Sequence, residues 1–126
     1  MKPRFLLFKA SAGSGKTFNL AAQYIALLIA KDVHEYRHTL AVTFTNKATA
    51  EMKDRILDFL YAIWKGETKG EKPLALVKKV LREQYGQTPN ETTIREQCHA
   101  ALQAILHDYG HFYVSTIDAF FQSVFS

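Results

Sequence analysis

The sequence predicts an α/β fold built on a parallel sheet, and three observations carry that prediction. Two short, continuous apolar runs, Phe5 to Phe8 and Thr39 to Thr43, have the make-up of strands buried on both faces. A glycine-rich loop and an amphipathic helical stretch lie between them. That strand–loop–helix–strand order is a βαβ unit, which crosses over right-handed.

The elements follow in order. Phe5-Leu6-Leu7-Phe8 is bounded by charge and reads as the first strand. Ala10 to Gly15 is small and Gly/Ser-rich, hence a loop. Over Lys16 to Ala30, residues Phe18, Ala21, Ala22, Ile25, Leu28 and Ile29 recur at three- and four-residue steps and predict a helix. Asp32 to His38 is polar and connecting. Thr39-Leu40-Ala41-Val42-Thr43 is the second strand, with β-branched members. Asn46 to Lys65 carries one long apolar stripe, from Ala48 through Met52, Ile56, Phe59 and Leu60 to Ile63. The mixed-charge run from Lys65 to Lys72, punctuated by Gly66 and Gly70, predicts an exposed, solvated break. A short amphipathic helix then runs from Leu74 to Tyr85, with Gly86 as its stop. Thr88-Pro89-Asn90-Glu91 reads as a capping box, with Thr88 as cap and Pro89 at the first helical position. Ile94, Cys98, Ala101, Leu102, Ile105 and Tyr109 share one face, and Gly110 ends that helix. His111 to Thr116 is a third candidate strand. Ile117 to Phe125 opens another helix, and its apolar end reads as the front of something longer.

Composition narrows the function classes. With 126 residues, 48% apolar and 22% charged, the chain has the make-up of one ordinary folded domain or a piece of a larger one. Its longest apolar stretch, Leu20 to Ala30, is about half a membrane span and holds Gln23. No membrane partner is expected, and the cytoplasm is the default compartment. The single cysteine, Cys98, excludes an internal disulfide and sits on an apolar stripe as a core thiol. Residues 1–55 hold nine basic and four acidic side chains, net +5, whereas the remainder holds seven and eight, net −1. A basic front half suits a polyanion such as a nucleotide or nucleic acid, although ordinary surfaces reach the same charge.

One segment carries chemistry. Ala10-Ser11-Ala12-Gly13-Ser14-Gly15-Lys16-Thr17 follows a strand and precedes a helix. Glycines let backbone N–H groups turn toward a ligand, and a helix N-terminus adds unpaired donors and partial positive charge. Lys16 is placed to reach the β- and γ-phosphates, and the Thr17 hydroxyl to hold Mg²⁺. The strict G-x-x-x-x-G-K-[ST] pattern fails only at Ala10. ATP with Mg²⁺ is the expected ligand, and a P-loop NTPase sheet core the expected fold. No apolar run ends in Asp-Glu; Asp118, followed by Ala119, is the nearest acid in such a position. Asp108 is explained as helix.

Three blocks resemble the N-terminus of the UvrD/Rep family of superfamily 1 DNA helicases: ASAGSGKTFNL at 10–20, AVTFTNKATAEMKDRI at 41–56 and VSTIDAFFQ at 114–122. An alanine at the first phosphate-loop position is common in that family. The closer likeness is to the RecB/AddA branch of helicase–nuclease subunits. Little sequence precedes Phe5 for an adenine-reading glutamine motif. Phe18 stands where the UvrD/Rep branch often has arginine. The third block resembles T-I-H-S-F, with Asp118 and Ala119 replacing its histidine and serine.

The resemblance implies an ATP-driven motor on single-stranded DNA with a RecA-like lobe. Residues 1–65 would form the P-loop core, 66–110 a helical insertion and 111–126 the return to the core. Ala10 through Thr17, with Phe18, would bind nucleotide. Thr43, Phe44, Thr45, Asn46 and Lys47 would line the strand, with Ser115, Thr116 and Phe120 in similar roles. Phe44 offers a stacking face, and the hydroxyls and amide suit phosphate and sugar; from the residues alone, core packing is the other reading of Phe44. Asn46 is also placed to cap the helix that follows. The Walker B acids, the γ-phosphate-sensing arginines, the second lobe and any nuclease would lie beyond Ser126, so the partners are the rest of that polypeptide and other subunits of a helicase–nuclease complex. This chain alone is expected not to turn over ATP.

Two rivals belong to other classes. A small metabolite kinase would need a lid arginine cluster, for which Arg82 and Arg95 are isolated. A non-catalytic interaction module would pair through the aromatic C-terminal end. The pairs His107/His111 and His34/His38 have helical metal spacing but no third ligand, and Trp64 closes an amphipathic helix as a packing residue.

Overall fold

The computed structural model describes residues 4–7 and 14–125, with side chains from 17 to 124. Strand β1 is Arg4–Leu7, helix α1 is Ser14–Ala30, and strand β2 is Thr39–Thr43. Helix α2 is Asn46–Lys65, α3 is Glu71–Tyr85 and α4 is Glu91–His107. Strand β3, Val114–Thr116, and helix α5, Ile117–Phe125, complete the order. The sheet order is β1-β2-β3, parallel throughout. Leu7 lies opposite Val42 and Thr43 opposite Thr116, so the three strands end along one edge.

The α/β reading and the βαβ unit hold. β2, in the middle, is buried along nearly its whole length, as its unbroken apolar run requires. α2 has the expected bounds. Its apolar stripe faces inward, and Gly66 closes it in the left-handed region at φ 68, where a side chain would be strained. α1 is buried more completely than one stripe allows. Tyr24 and Leu27 join Ala21, Ala22, Ile25 and Leu28 in the interior, because α1 packs against both α2 and α3. Residues of α3 and α4 share this same core; Val77, Leu81, Ile94, Cys98 and Ile105 are fully buried beside α1 and α2. Burial pushes the Cys98 thiol up to about 12, so it packs as an inert apolar group.

The structure corrects several local expectations. The connection before β2 is a single 3-10 turn, Val33–His38, capped by Asp32, and it buries Tyr36. The expected loop at 65–72 shrinks to Gly66 and Glu67. A short turn at Thr68–Gly70 runs into α3, and Gly70 is buried against the α2 backbone. Asn90, not Thr88, caps α4: its Oδ1 accepts the Thr93 N–H at 2.8 Å, so Pro89 stays outside the helix. Thr45, not Asn46, caps α2, taking the Ala48 N–H at 3.0 Å. α4 stops at His107, before Gly110. Asp108 leaves helical geometry at φ −142, and Tyr109 is 44% exposed rather than on the apolar face.

Asp108 explains that stop and the burial of Tyr36 together. Its carboxylate accepts from the Tyr36 hydroxyl at 2.9 Å, the Arg37 Nε at 3.1 Å and His111 Nδ1 at 2.5 Å. The Tyr36 hydroxyl also reaches the Ala104 carbonyl at 3.0 Å. The turn before β2 is thereby tied to the end of α4. Among the described residues, no helix is long and apolar enough to cross a membrane.

Candidate functional site

A strand that ends in a parallel sheet hands its chain to whatever lies beyond the carboxyl edge, and α/β sheets bind ligands there. The second and third sequence blocks leave the sheet at that edge, and the strand that precedes the first block ends there. The first enters α1 at Ser14, seven residues after β1 ends at Leu7. The second leaves β2 at Thr43 and the third leaves β3 at Thr116.

Of the first block, Ala10, Ser11, Ala12 and Gly13 lie outside the described residues. Ser14, Gly15, Lys16 and Thr17 form the first turn of α1, which contains no acidic residue. The unpaired N–H groups of that turn and the helix dipole favour an anion. The Thr17 side chain is buried at 1% exposure. Phe18 packs edge-on against Phe59 with ring centres 5.0 Å apart, so its ring fills the α1–α2 seam.

The second block divides into an anchor and an exposed tip. Thr43 is 1% exposed, and its Oγ1 lies 2.6 Å from Thr49 Oγ1, 3.3 Å from the Thr45 carbonyl and 3.4 Å from the Ser115 carbonyl. The last contact reaches from the second block to the third. Thr49 was not singled out in the sequence; a threonine four residues after the α2 cap was the available signal. Phe44, Thr45, Asn46 and Lys47 are four consecutive exposed residues. Phe44 is 49% exposed, which removes the core-packing reading of its ring. The first turn of α2 carries Lys47 and no acid, so this tip pairs a ring, an amide, a cation and a positive helix end.

In the third block, Thr116 caps α5 by accepting the Ala119 N–H at 3.1 Å. The Ser115 hydroxyl turns back to the Thr116 carbonyl at 3.1 Å. Phe120 is half-buried beside Phe121, ring centres 5.8 Å apart. Asp118 is exposed on the first turn of α5. Elsewhere, His107 Nδ1 meets the Gln103 carbonyl and His111 is engaged with Asp108. Trp64 stacks flat on His99, ring centres 3.8 Å apart, as a packing residue. Among the described residues, no three His, Cys, Asp or Glu side chains gather as a metal site.

The fold and the site define an α/β domain on a parallel sheet, with an acid-free helix N-terminus and an exposed aromatic–cationic tip. Comparison with known proteins gives the particular family. The model of the UvrD/REP helicase N-terminal domain matches residues 3–123. The chain belongs to that family. It is also similar to the ATP-dependent DNA helicase PcrA of Staphylococcus aureus, 55% identical over 51 residues, which is 40% of this chain and 7% of that helicase. PcrA of Staphylococcus epidermidis matches at the same identity and extent. The chain thus spans a small part of the length of the curated relatives it matches. No solved structure matches it.

Proposed function

We propose that this chain is the nucleotide-binding front of a motor that translocates on single-stranded DNA at the expense of ATP, in the RecB/AddA-like manner. The observation that supports the reading is the shared carboxyl edge, where β1 ends ahead of α1 and from which the Phe44–Lys47 tip and the Thr116 turn leave. A motor must couple a phosphate site to a strand site. Here the two families of residues hang from adjacent strands of one sheet, and Thr43 bonds both to its own loop and to the third block.

On this reading the first turn of α1 takes the triphosphate. Backbone N–H groups of Ser14 to Thr17 donate to phosphate oxygens, with the rest of the segment from Ala10 to Gly13 closing the loop. Lys16 neutralises the β- and γ-phosphates, and Thr17 is the residue that would hold Mg²⁺. The metal, when bound, neutralises charge on the transferred phosphoryl group. Phe44 stacks on a base without sequence preference, while Asn46, Lys47 and the exposed hydroxyl groups hold phosphate and sugar. Thr43 acts from inside, fixing the loop that carries Phe44.

The RecB/AddA branch is favoured by Phe18, Asp118 and Ala119 in place of the residues common in the other branch. Partners would then include other subunits of a helicase–nuclease complex and further chain of the same polypeptide. Asp118 lacks a second acid beside it, so the chain binds ATP without turning it over.

Calorimetry with a non-hydrolysable ATP analogue and Mg²⁺ tests the reading. Heat that disappears in Lys16→Ala supports it, and silence in the unaltered chain overturns it. Robust steady-state ATP turnover lost in Lys16→Ala would instead overturn the inactivity.

A further inference from the structure

A groove of about 580 Å³ runs beside β3, outside the three sequence blocks for most of its length. Its walls include Tyr109, Phe112, Tyr113 and Phe120, with Ser115 on its floor and Lys53 of α2 on its rim. Tyr109 and Tyr113 are 44% and 41% exposed. The Lys53 ammonium sits 5.1 Å above the Tyr109 ring and 6.0 Å from that of Phe112. Among the described residues, no acidic side chain lines the groove. Three acids adjoin lining residues in sequence: Asp108 has its charge taken up by Arg37, Tyr36 and His111, while Asp54 and Asp118 are exposed outside the lining. Among the described residues, β3 pairs with β2 alone, so the groove lies along an open sheet edge.

We infer that this groove continues the path of a single nucleic-acid strand past the third block, with Tyr109 and Tyr113 stacking bases and Lys53 holding a phosphate. The inference rests on the single-strand reading above. Two observations choose this occupant over an apolar segment of protein. One is charge: the described lining sets the Lys53 cation over aromatic rings and carries no acid, which suits a polyanion that carries flat rings. The other is continuity. Ser115 and Phe120 belong at once to the third block and to the groove, so the groove adjoins the residues read as strand contacts. The size fits as well, since sites for small organic groups span roughly 300–1,000 Å³.

The test uses the whole chain and an oligothymidylate carrying 5-iodouracil at successive positions. Photocrosslinks mapped by mass spectrometry are expected at Tyr109, Tyr113 or Phe120 as well as at Phe44; adducts at Phe44 alone overturn the groove. Fluorescence anisotropy supplies the second reading. Tyr109→Leu is expected to weaken binding about fivefold or more, the loss of one stacked base. Lys53→Met keeps the aliphatic stem and is expected to flatten the salt dependence by about 0.7 in log–log slope, one phosphate contact. Unchanged affinity and slope in both variants, with thermal melts showing them folded, overturn the groove while Phe44→Ala still weakens binding and the broader reading stands. No affinity of the unaltered chain for the oligonucleotide overturns both.

Discussion

The hydroxyl oxygens of Thr43 and Thr49 lie 2.6 Å apart, and this short contact ties the end of β2 to the first turns of α2. Both residues stand in the second sequence block, yet neither hydroxyl points its hydrogen-bonding capacity outward. Thr49 also donates to the Thr45 carbonyl at 3.2 Å, so the four exposed residues between the two threonines are held at both ends. A turn tied in this way has less freedom to lose on binding, which lowers the ordering cost.

Thr49→Val removes that tie with little change of shape. It is expected to cost about 1 kcal/mol of unfolding free energy, the typical net worth of one hydrogen bond, read by urea denaturation. If the tip binds a single strand, affinity falls by a few-fold in parallel, and Thr49→Ser restores both. A stable Thr49→Val with unaltered strand affinity contradicts the anchoring role.

Gly70 gives a sharper prediction. A Cβ built there lies 2.7 Å from the carbonyl carbon and oxygen of Ala62 and 3.0 Å from the Ile63 nitrogen, all backbone atoms that cannot step aside. Its φ of −90 is open to any residue, so the demand is for space, not for glycine's conformational freedom. Gly70→Ala is expected to destabilise by about 1–3 kcal/mol as an overpacked site. Gly110→Ala is the control, because nothing lies within 4 Å of its would-be Cβ. Calorimetric melting of the two variants should show a lowered Tm for the first alone.

How much of this was legible in the sequence depends on whether the cause was local. The bounds of β2 and α2 follow from β-branched composition and from a glycine that accepts φ 68, both properties of neighbouring residues. The positions of the second and third blocks were legible for the same reason: each sits at a strand end. Tyr36 was not legible. It lies in a polar stretch and is buried because its hydroxyl finds Ala104 and Asp108, 68 and 72 residues away. Gly70 looked like a loop glycine because its close approach to the α2 backbone arises only when the chain folds back after Gly66, which local composition does not show. The groove beside β3 was equally hidden, since Lys53 and Tyr109 meet only when α2 and the end of α4 come together.

The start of α4 separates two caps that the sequence could not rank. Thr88 and Asn90 are both competent capping residues, but only Asn90 accepts a backbone N–H, that of Thr93. Asn90→Ala is expected to cost about 1 kcal/mol and Thr88→Ala well under half of that. Equal losses in urea titrations would return the cap to Thr88.

Acid and base should loosen the Asp108 clasp from opposite sides. The hydrogen bond from His111, then that from Tyr36, holds the Asp108 carboxyl below its ordinary range. A carboxyl whose folded pKa is depressed stabilises the fold above its unfolded value, near 4, and loses that contribution as the pH falls further. Burial first, and the bond to Asp108 second, push the Tyr36 hydroxyl up from 10 to about 12. A raised pKa has the opposite sense, so the Tyr36 contribution is complete below pH 10 and drains away as the pH climbs toward 12. Asp108→Asn is therefore expected to lower Tm at neutral pH and to flatten the fall of Tm between pH 5 and about 2.5, because the variant has no carboxyl left to protonate. Tyr36→Phe should soften the acid limb only in part, since His111 still holds Asp108, while flattening the alkaline one. If the acid limb of Asp108→Asn superimposes on that of the unaltered chain, the stability lost at low pH belongs to other carboxyls and the clasp between Tyr36, Arg37, His111 and Asp108 does not hold the turn before β2 to the end of α4.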